Sequence, residues 1–170
     1  GLAVVHGIMK NHNGTISVSS EVGKGTSIKV LFPLTDEQTI TEKTISKGLV
    51  NGNENILLVD DEISLAEMEG TILKRLGYKV KICSDPEDAL ASFYKDPSRF
   101  DLIITDMTMP HLTGEQVAKK ILEKRPDIPI IICSGFNKKI NSEIGIRRYL
   151  EKPIEMKTFA RSIRNVLDGN

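Results

Sequence analysis

Five short apolar runs recur between residues 54 and 170, and each is followed by a stretch of helical period. The runs cover residues 56–59, 80–83, 102–105, 128–133 and 149–150, and they are short and rich in β-branched side chains, as buried strands are. Between them, Leu65, Met68, Ile72 and Leu76 recur at helical spacing, as do Val117, Ile121 and Leu122, then Phe159, Ile163 and Val166 or Leu167. Asp85-Pro86 reads as a helix start and Gly77 as the close of the helix before it. Strand and helix in strict alternation predict a parallel sheet covered on both faces, because right-handed crossovers place helices on each side.

Charge narrows the function classes. The 170 residues carry 23 Lys+Arg against 23 Asp+Glu, which disfavours nucleic acid or an acidic membrane as an electrostatic partner. Residues 35–53 mix Thr, Ser, Asn, Gly and charge with few large aliphatics and read as a linker between residues 1–34 and 54–170. The two cysteines, Cys83 and Cys133, fit buried thiols of a reducing compartment. The apolar runs are far shorter than the ~20 residues of a membrane helix. A start at Gly1, inside an apolar helical pattern, reads as the start of a fragment, so anything that would place the parent, such as upstream membrane helices, is expected to lie out of view. The expected location is the cytoplasm.

The polar residues fall at strand ends. The first run leads into Asp60-Asp61-Glu62, the third into Asp106, the fourth into Ser134-Gly135 and the fifth into Glu151-Lys152-Pro153. In open parallel sheets ligands sit outside the carboxyl edge of the strands, so these segments are expected to converge. Carboxylates gathered there repel one another unless a cation lies among them. Oxygen-only donors without Cys or His suit a hard divalent ion such as Mg²⁺, held by Asp61, Asp106 and, through water, Asp60. Lys152 adds a point charge and Ser134 a hydroxyl, which together make a pocket for a phosphoryl group with Asp106 as nucleophile.

The segments ILLVDDE (56–62), LIITDMTMP (102–110), ICSGF (132–136) and YLEKP (149–153) resemble, in order, the signatures of the receiver domain of two-component response regulators. The resemblance covers residues 54–170 and implies a flavodoxin-like (βα)5 fold with strand order 2-1-3-4-5. It implies that Asp106 accepts a phosphoryl group from phosphohistidine. It further implies that Asp60, Asp61, Asp106 and the Thr108 backbone carbonyl hold Mg²⁺, or Mn²⁺ in its place, and that Lys152 contacts the acyl phosphate. Ser134 and Tyr149 take the switch positions, and Lys152-Pro153 is expected to be cis. Between Ser134 and Lys152 the chain is about four residues, roughly one helical turn, shorter than expected of receivers. The fourth helix, in NKKINSEIGI, is therefore expected to be stunted, which touches the usual signalling and dimer face.

Residues 1–34 read as a helix with Leu2, Val5, Ile8 and Met9 inward, a stop at Asn13-Gly14, and a hairpin in which Ile16 and Val18 alternate in one strand and Ile28, Val30 and Phe32 in the next, with Gly23-Lys24-Gly25 as the turn. This resembles the end of the ATP-binding domain of sensor histidine kinases, with Gly1 as the tail of one glycine box and Gly23, Gly25 and Thr26 in the last one. The resemblance implies a hybrid histidine kinase as parent and ATP as a cofactor of the complete parent alone. This chain lacks the asparagine box, the Asp-x-Gly-x-Gly site and the phosphodonor histidine helices, so it is expected to act as a self-phosphorylating phosphoacceptor without ATP-dependent kinase activity. A helix and one hairpin bury little surface, so this part is expected to be partly disordered, to dock on the receiver or to pair between chains. Homodimerisation through it, or through the receiver face, is an expectation. His6, His12 and His111 fit no phosphodonor motif and read as surface or interface residues. The expected partners are a phosphohistidine donor and a histidine phosphotransfer protein, with no nucleic acid. The sequence stops about one residue past the last helical pattern, so no DNA-binding effector domain is expected to follow.

Two rival readings differ in class. A haloacid-dehalogenase-like phosphatase also uses an Asp nucleophile, but it typically carries a second Asp two residues later, where this chain has Thr108. A pseudo-receiver that only binds partners is at odds with the intact acidic set, Ser134 and Lys152.

Overall fold

The computed structural model describes residues 2–34, 51–135 and 145–169. The chain divides into two compact units, Gly1–Ile45 and Ser46–Asn170.

In the first unit, helix α1 (Leu2–Asn11) ends at Asn13, which takes a positive φ of 52°, and the Gly14 amide returns to the Met9 carbonyl at 2.8 Å. Strands β1 (Thr15–Glu21) and β2 (Gly25–Leu31) form an antiparallel hairpin in which Ile16 faces Val30 and Val18 faces Ile28. Gly23 and Gly25, at φ 80° and 103°, make the turn, and the Thr26 hydroxyl lies 2.9 Å from that of Ser20. The expected inward face of α1 is only partly realised. Met9 is buried, whereas Val5 and Ile8 are exposed, since α1 packs chiefly on β1 and one hairpin strand covers a narrow stripe of a helix.

The second unit is a five-stranded sheet built from β3 (Asn55–Val59), β4 (Lys79–Cys83), β5 (Leu102–Asp106), β6 (Ile130–Ser134) and β7 (Arg148–Glu151). Every neighbouring pair is parallel and the order is β4-β3-β5-β6-β7. Counted from β3, this is 2-1-3-4-5, the order of the flavodoxin-like fold. The three inner strands are apolar on both sides because each side meets helices. Leu57 and Val59 join a core with helices α3 (Pro86–Lys95) and α4 (Gly114–Lys124). Ile56 and Leu58 join one with α2 (Ile63–Arg75) and α5 (Met156–Leu167). Edge strand β4 alternates Lys79 and Lys81 with Val80 and Ile82, a charged edge that discourages further strand pairing. Strand β6 starts at Ile130, two residues later than the apolar run at 128, because Pro129 has no N–H to give the ladder.

Helix α2 is turned relative to its expected face. It buries Ala66, Glu69, Gly70 and Leu73, while Met68 is 53% exposed. A Cβ on Gly70 would lie 2.5 Å from Ile82 Cδ1, so the helix approaches the sheet closely at its small residues, while Ile63 and Met68 stay exposed. The stunted fourth helix expected after Ser134 lies largely outside the described residues. Among the described residues, no helix is long and apolar enough to cross a membrane.

Candidate functional site

Four strand ends deliver the site. Asp60 follows the last residue of β3, Asp106 closes β5, Ser134 closes β6 and Lys152 follows β7. Parallel strands all end on one edge, so segments distant in sequence meet there. Asp60 is buried at 2% exposure and its Oδ1 accepts the Glu62 amide at 2.9 Å. The Lys152 ammonium donates to Asp60 Oδ2 and to Asp106 Oδ1, each at 2.6 Å. Its own amide donates to the Ser134 carbonyl at 2.8 Å, and the Lys152-Pro153 bond is cis. Burial opposes the charge on Lys152, but the hydrogen bonds to Asp106 and Asp60 more than offset it and hold the ammonium above its ordinary pKa.

The backbone around Asp106 is fixed from three directions. The Met107 amide donates to the Cys133 carbonyl at 2.7 Å, the Gly114 amide to the Met107 carbonyl at 3.0 Å, and the Thr108 amide to Asp106 Oδ2. Thr113 caps α4 reciprocally with Gln116, which starts the helix directly beneath the strand end. Gly114 is a site residue that sequence reasoning passed over. Its only signal was a glycine following a capping threonine.

Asp61 is exposed and makes no hydrogen bond or ion pair with another described residue. Among the described residues, no three acidic, His or Cys side chains stand as a ready metal cluster. What is assembled is a pair, Asp60 and Asp106, converging on one cation. That pair fits Mg²⁺, which takes one or two carboxylates and fills its remaining positions with water and phosphate oxygens. Tyr149 is half-buried against the α3–α4 core, and its hydroxyl donates to Glu115 Oε1 at 3.4 Å. Gly23, Gly25 and Thr26 serve the hairpin turn, and Gly1 lies outside the described residues. Cys133 is buried, which pushes its thiol well above the usual range, so it is inert as a nucleophile.

The family model for the response regulator receiver domain matches residues 56–164. Sensor kinase CckA of Brucella abortus is 28% identical over 184 aligned residues, covering 99% of this chain and 19% of the relative. A probable transcriptional regulator, ycf27, of Porphyra purpurea is 38% identical over 69% of this chain and 49% of its own. The chain therefore spans between a fifth and a half of these curated relatives. The crystal structure of the response regulator protein TrrA of Thermotoga maritima, in complex with Mg²⁺-BeF, superposes with a TM-score of 0.61 at 27% identity, covering 66% of this chain and 98% of the other.

Proposed function

This chain belongs to the response regulator receiver domain family, a module of two-component phosphorelays, and from that premise we propose that Asp106 is its phosphoryl acceptor. One observation carries the assignment: Asp106 ends the central strand β5 and shares the Lys152 ammonium with buried Asp60. In the transfer, an Asp106 carboxylate oxygen bonds phosphorus as the phosphorus–nitrogen bond of a phosphohistidine breaks, and the leaving imidazole takes a proton. Asp60, Asp61, Asp106 and the Thr108 carbonyl are the donors offered to Mg²⁺, which neutralises charge on the phosphoryl oxygens when bound. Lys152 then turns from the two carboxylates toward the phosphoryl group. Ser134 and Tyr149 are the switch residues, reading the new group from the ends of β6 and β7.

The likeness to CckA along nearly the whole chain supports a further reading. Residues 1–34 are the close of a histidine kinase ATP-binding domain, 35–53 a linker and 54–170 the receiver, within a cytoplasmic part of a hybrid kinase. Gly1, Gly23, Gly25 and Thr26 are then remnants of its nucleotide site. The donor is a phosphohistidine of that kinase or of a separate one, and the next carrier a histidine phosphotransfer protein.

Intact-protein mass spectrometry after incubation with Mg²⁺ and acetyl phosphate tests the acceptor. The expected result is one added phosphoryl group that is lost in Asp106→Asn and without Mg²⁺. Label retained in the variant would move the acceptor elsewhere, and continuous release of phosphate from a phosphomonoester would favour the phosphatase.

A further inference from the structure

Glu69 is the only acidic side chain besides Asp60 that the described residues bury, at 7% exposure. It makes no hydrogen bond or ion pair with another described residue. It lines a groove of about 400 Å³ between α2 and α5 whose other walls include Leu65, Met68, Ile72, Phe159 and Lys152. A carboxylate in such surroundings is costly unless a cation faces it.

Each element packed near it contributes something definite. The end of β3 presents Asp60, the end of β5 Asp106, and the loop after β7 Lys152. Strand β6 offers the Cys133 thiol and α5 Met156 and Phe159, while the Ile82 side chain of β4 packs at the neighbouring Gly70. Among the described residues, Lys152 is thus the one cation acting on Glu69, and it is also the residue whose two bonded partners take on other work during phosphoryl transfer. Once Asp60 serves a divalent ion and Asp106 bonds phosphorus, the ammonium loses both of its present anchors. Glu69 remains.

We propose that Glu69 is a positioning residue for phosphoryl acceptance, acting through Lys152 as the counter-charge that holds the ammonium at the pocket wall when Asp60 and Asp106 are otherwise engaged. The proposal rests on Asp106 being the acceptor. Burial, opposed by Lys152 and reinforced by Asp60 and Asp106, pushes the Glu69 carboxyl up to about 7. Its charge, and with it the anchoring, is present above that pH and lost below it.

The test is the rate of labelling by phosphoramidate and Mg²⁺, followed by mass spectrometry from about pH 6 to about pH 8.5 on the whole chain, a range spanning the Glu69 titration. Glu69→Gln keeps the shape and removes the charge. Taking its ratio to wild type at each pH cancels the donor's own titration. The expected ratio is about tenfold slower at the alkaline end, closing toward unity at the acid end, with Glu69→Asp intermediate. In a Lys152→Ala background, Glu69→Gln is expected to add nothing. A wild-type rate for Glu69→Gln at high pH, a ratio constant across pH, or an additive effect without Lys152 would each overturn the proposal. A folded wild type that takes no label, or takes it equally in Asp106→Asn, sinks the acceptor assignment itself, and the role of Glu69 with it. An unchanged Glu69→Gln beside a labelled wild type sinks the Glu69 role alone.

Discussion

A Cβ on Gly114 would stand 2.2 Å from the Asp106 carbonyl oxygen. The first residue of α4 therefore touches the backbone that carries the proposed acceptor, and only a residue without a side chain fits. Gly114→Ala is expected to push helix and strand apart, costing about 1–3 kcal/mol as overpacking does and slowing labelling of Asp106. Urea denaturation and the labelling rate check the two effects. A variant as stable and as fast as wild type would mean that the helix shifts freely.

Lys152→Ala leaves Asp60 and Asp106 facing each other without their shared ammonium. Divalent binding is expected to persist or tighten, because the ion no longer competes with a resident cation, while labelling falls. Calorimetric titration with Mg²⁺ beside a labelling assay separates the two. Normal labelling would remove Lys152 from the transfer.

Burial of Glu69 also predicts a stability profile. A carboxyl held at about 7 in the fold and near 4.3 in the unfolded chain keeps its proton in the native state where the unfolded state has already released it. Stability therefore falls as pH rises between those values and levels off above the upper one. Glu69→Gln is expected to flatten that slope and to be more stable than wild type near pH 8 by on the order of 2 kcal/mol. Thermal melts of both proteins at several pH values would show it, and parallel curves would contradict it.

Arg164 ties α5 to the start of β3. Its Nη1 donates to Glu54 Oε1 at 2.7 Å and its Nε to Asp168 Oδ1 at 2.9 Å. Charge-assisted bonds of this kind at a partly buried site contribute about 1–3 kcal/mol. Arg164→Met, which keeps much of the stem packing, is expected to lower the denaturation midpoint by that order and to spare labelling of Asp106, which lies at the opposite ends of the strands. A loss of labelling with unchanged stability would point to a role that this geometry does not contain.

Much of the second unit could be read in advance, for a physical reason. Strands such as β3, buried on both faces, must be short and apolar throughout, and a parallel sheet must bring their following residues to one edge. That Asp60, Asp106, Ser134 and Lys152 fall at one edge follows from that topology. Where hydrophobic size was taken as a guide to burial, the reading failed. Met68 sits at a rim while Gly70 is buried, because close approach to Ile82 favours the smallest residue. Glu69 looks solvent-facing to any hydropathy argument, since only the tertiary position of Lys152 marks it as something else. The Tyr149–Glu115 hydrogen bond joins residues 34 apart and has no local signature. In α1 the helical period was right, but the width of the covered stripe depended on what packs against it.

The ammonium bridge between Asp60 and Asp106 has a consequence for how such a pocket sends its message. At rest the two carboxylates and Lys152 sum to a formal charge of about −1. A phosphoryl group converts the Asp106 carboxylate to a dianion, a bound divalent ion adds two positive charges, and the same groups then sum to about 0. A change of a single charge at the solvent edge, screened by physiological salt over about 8–10 Å, is a faint broadcast at the far faces of the domain. Whatever a partner detects must travel as displaced atoms.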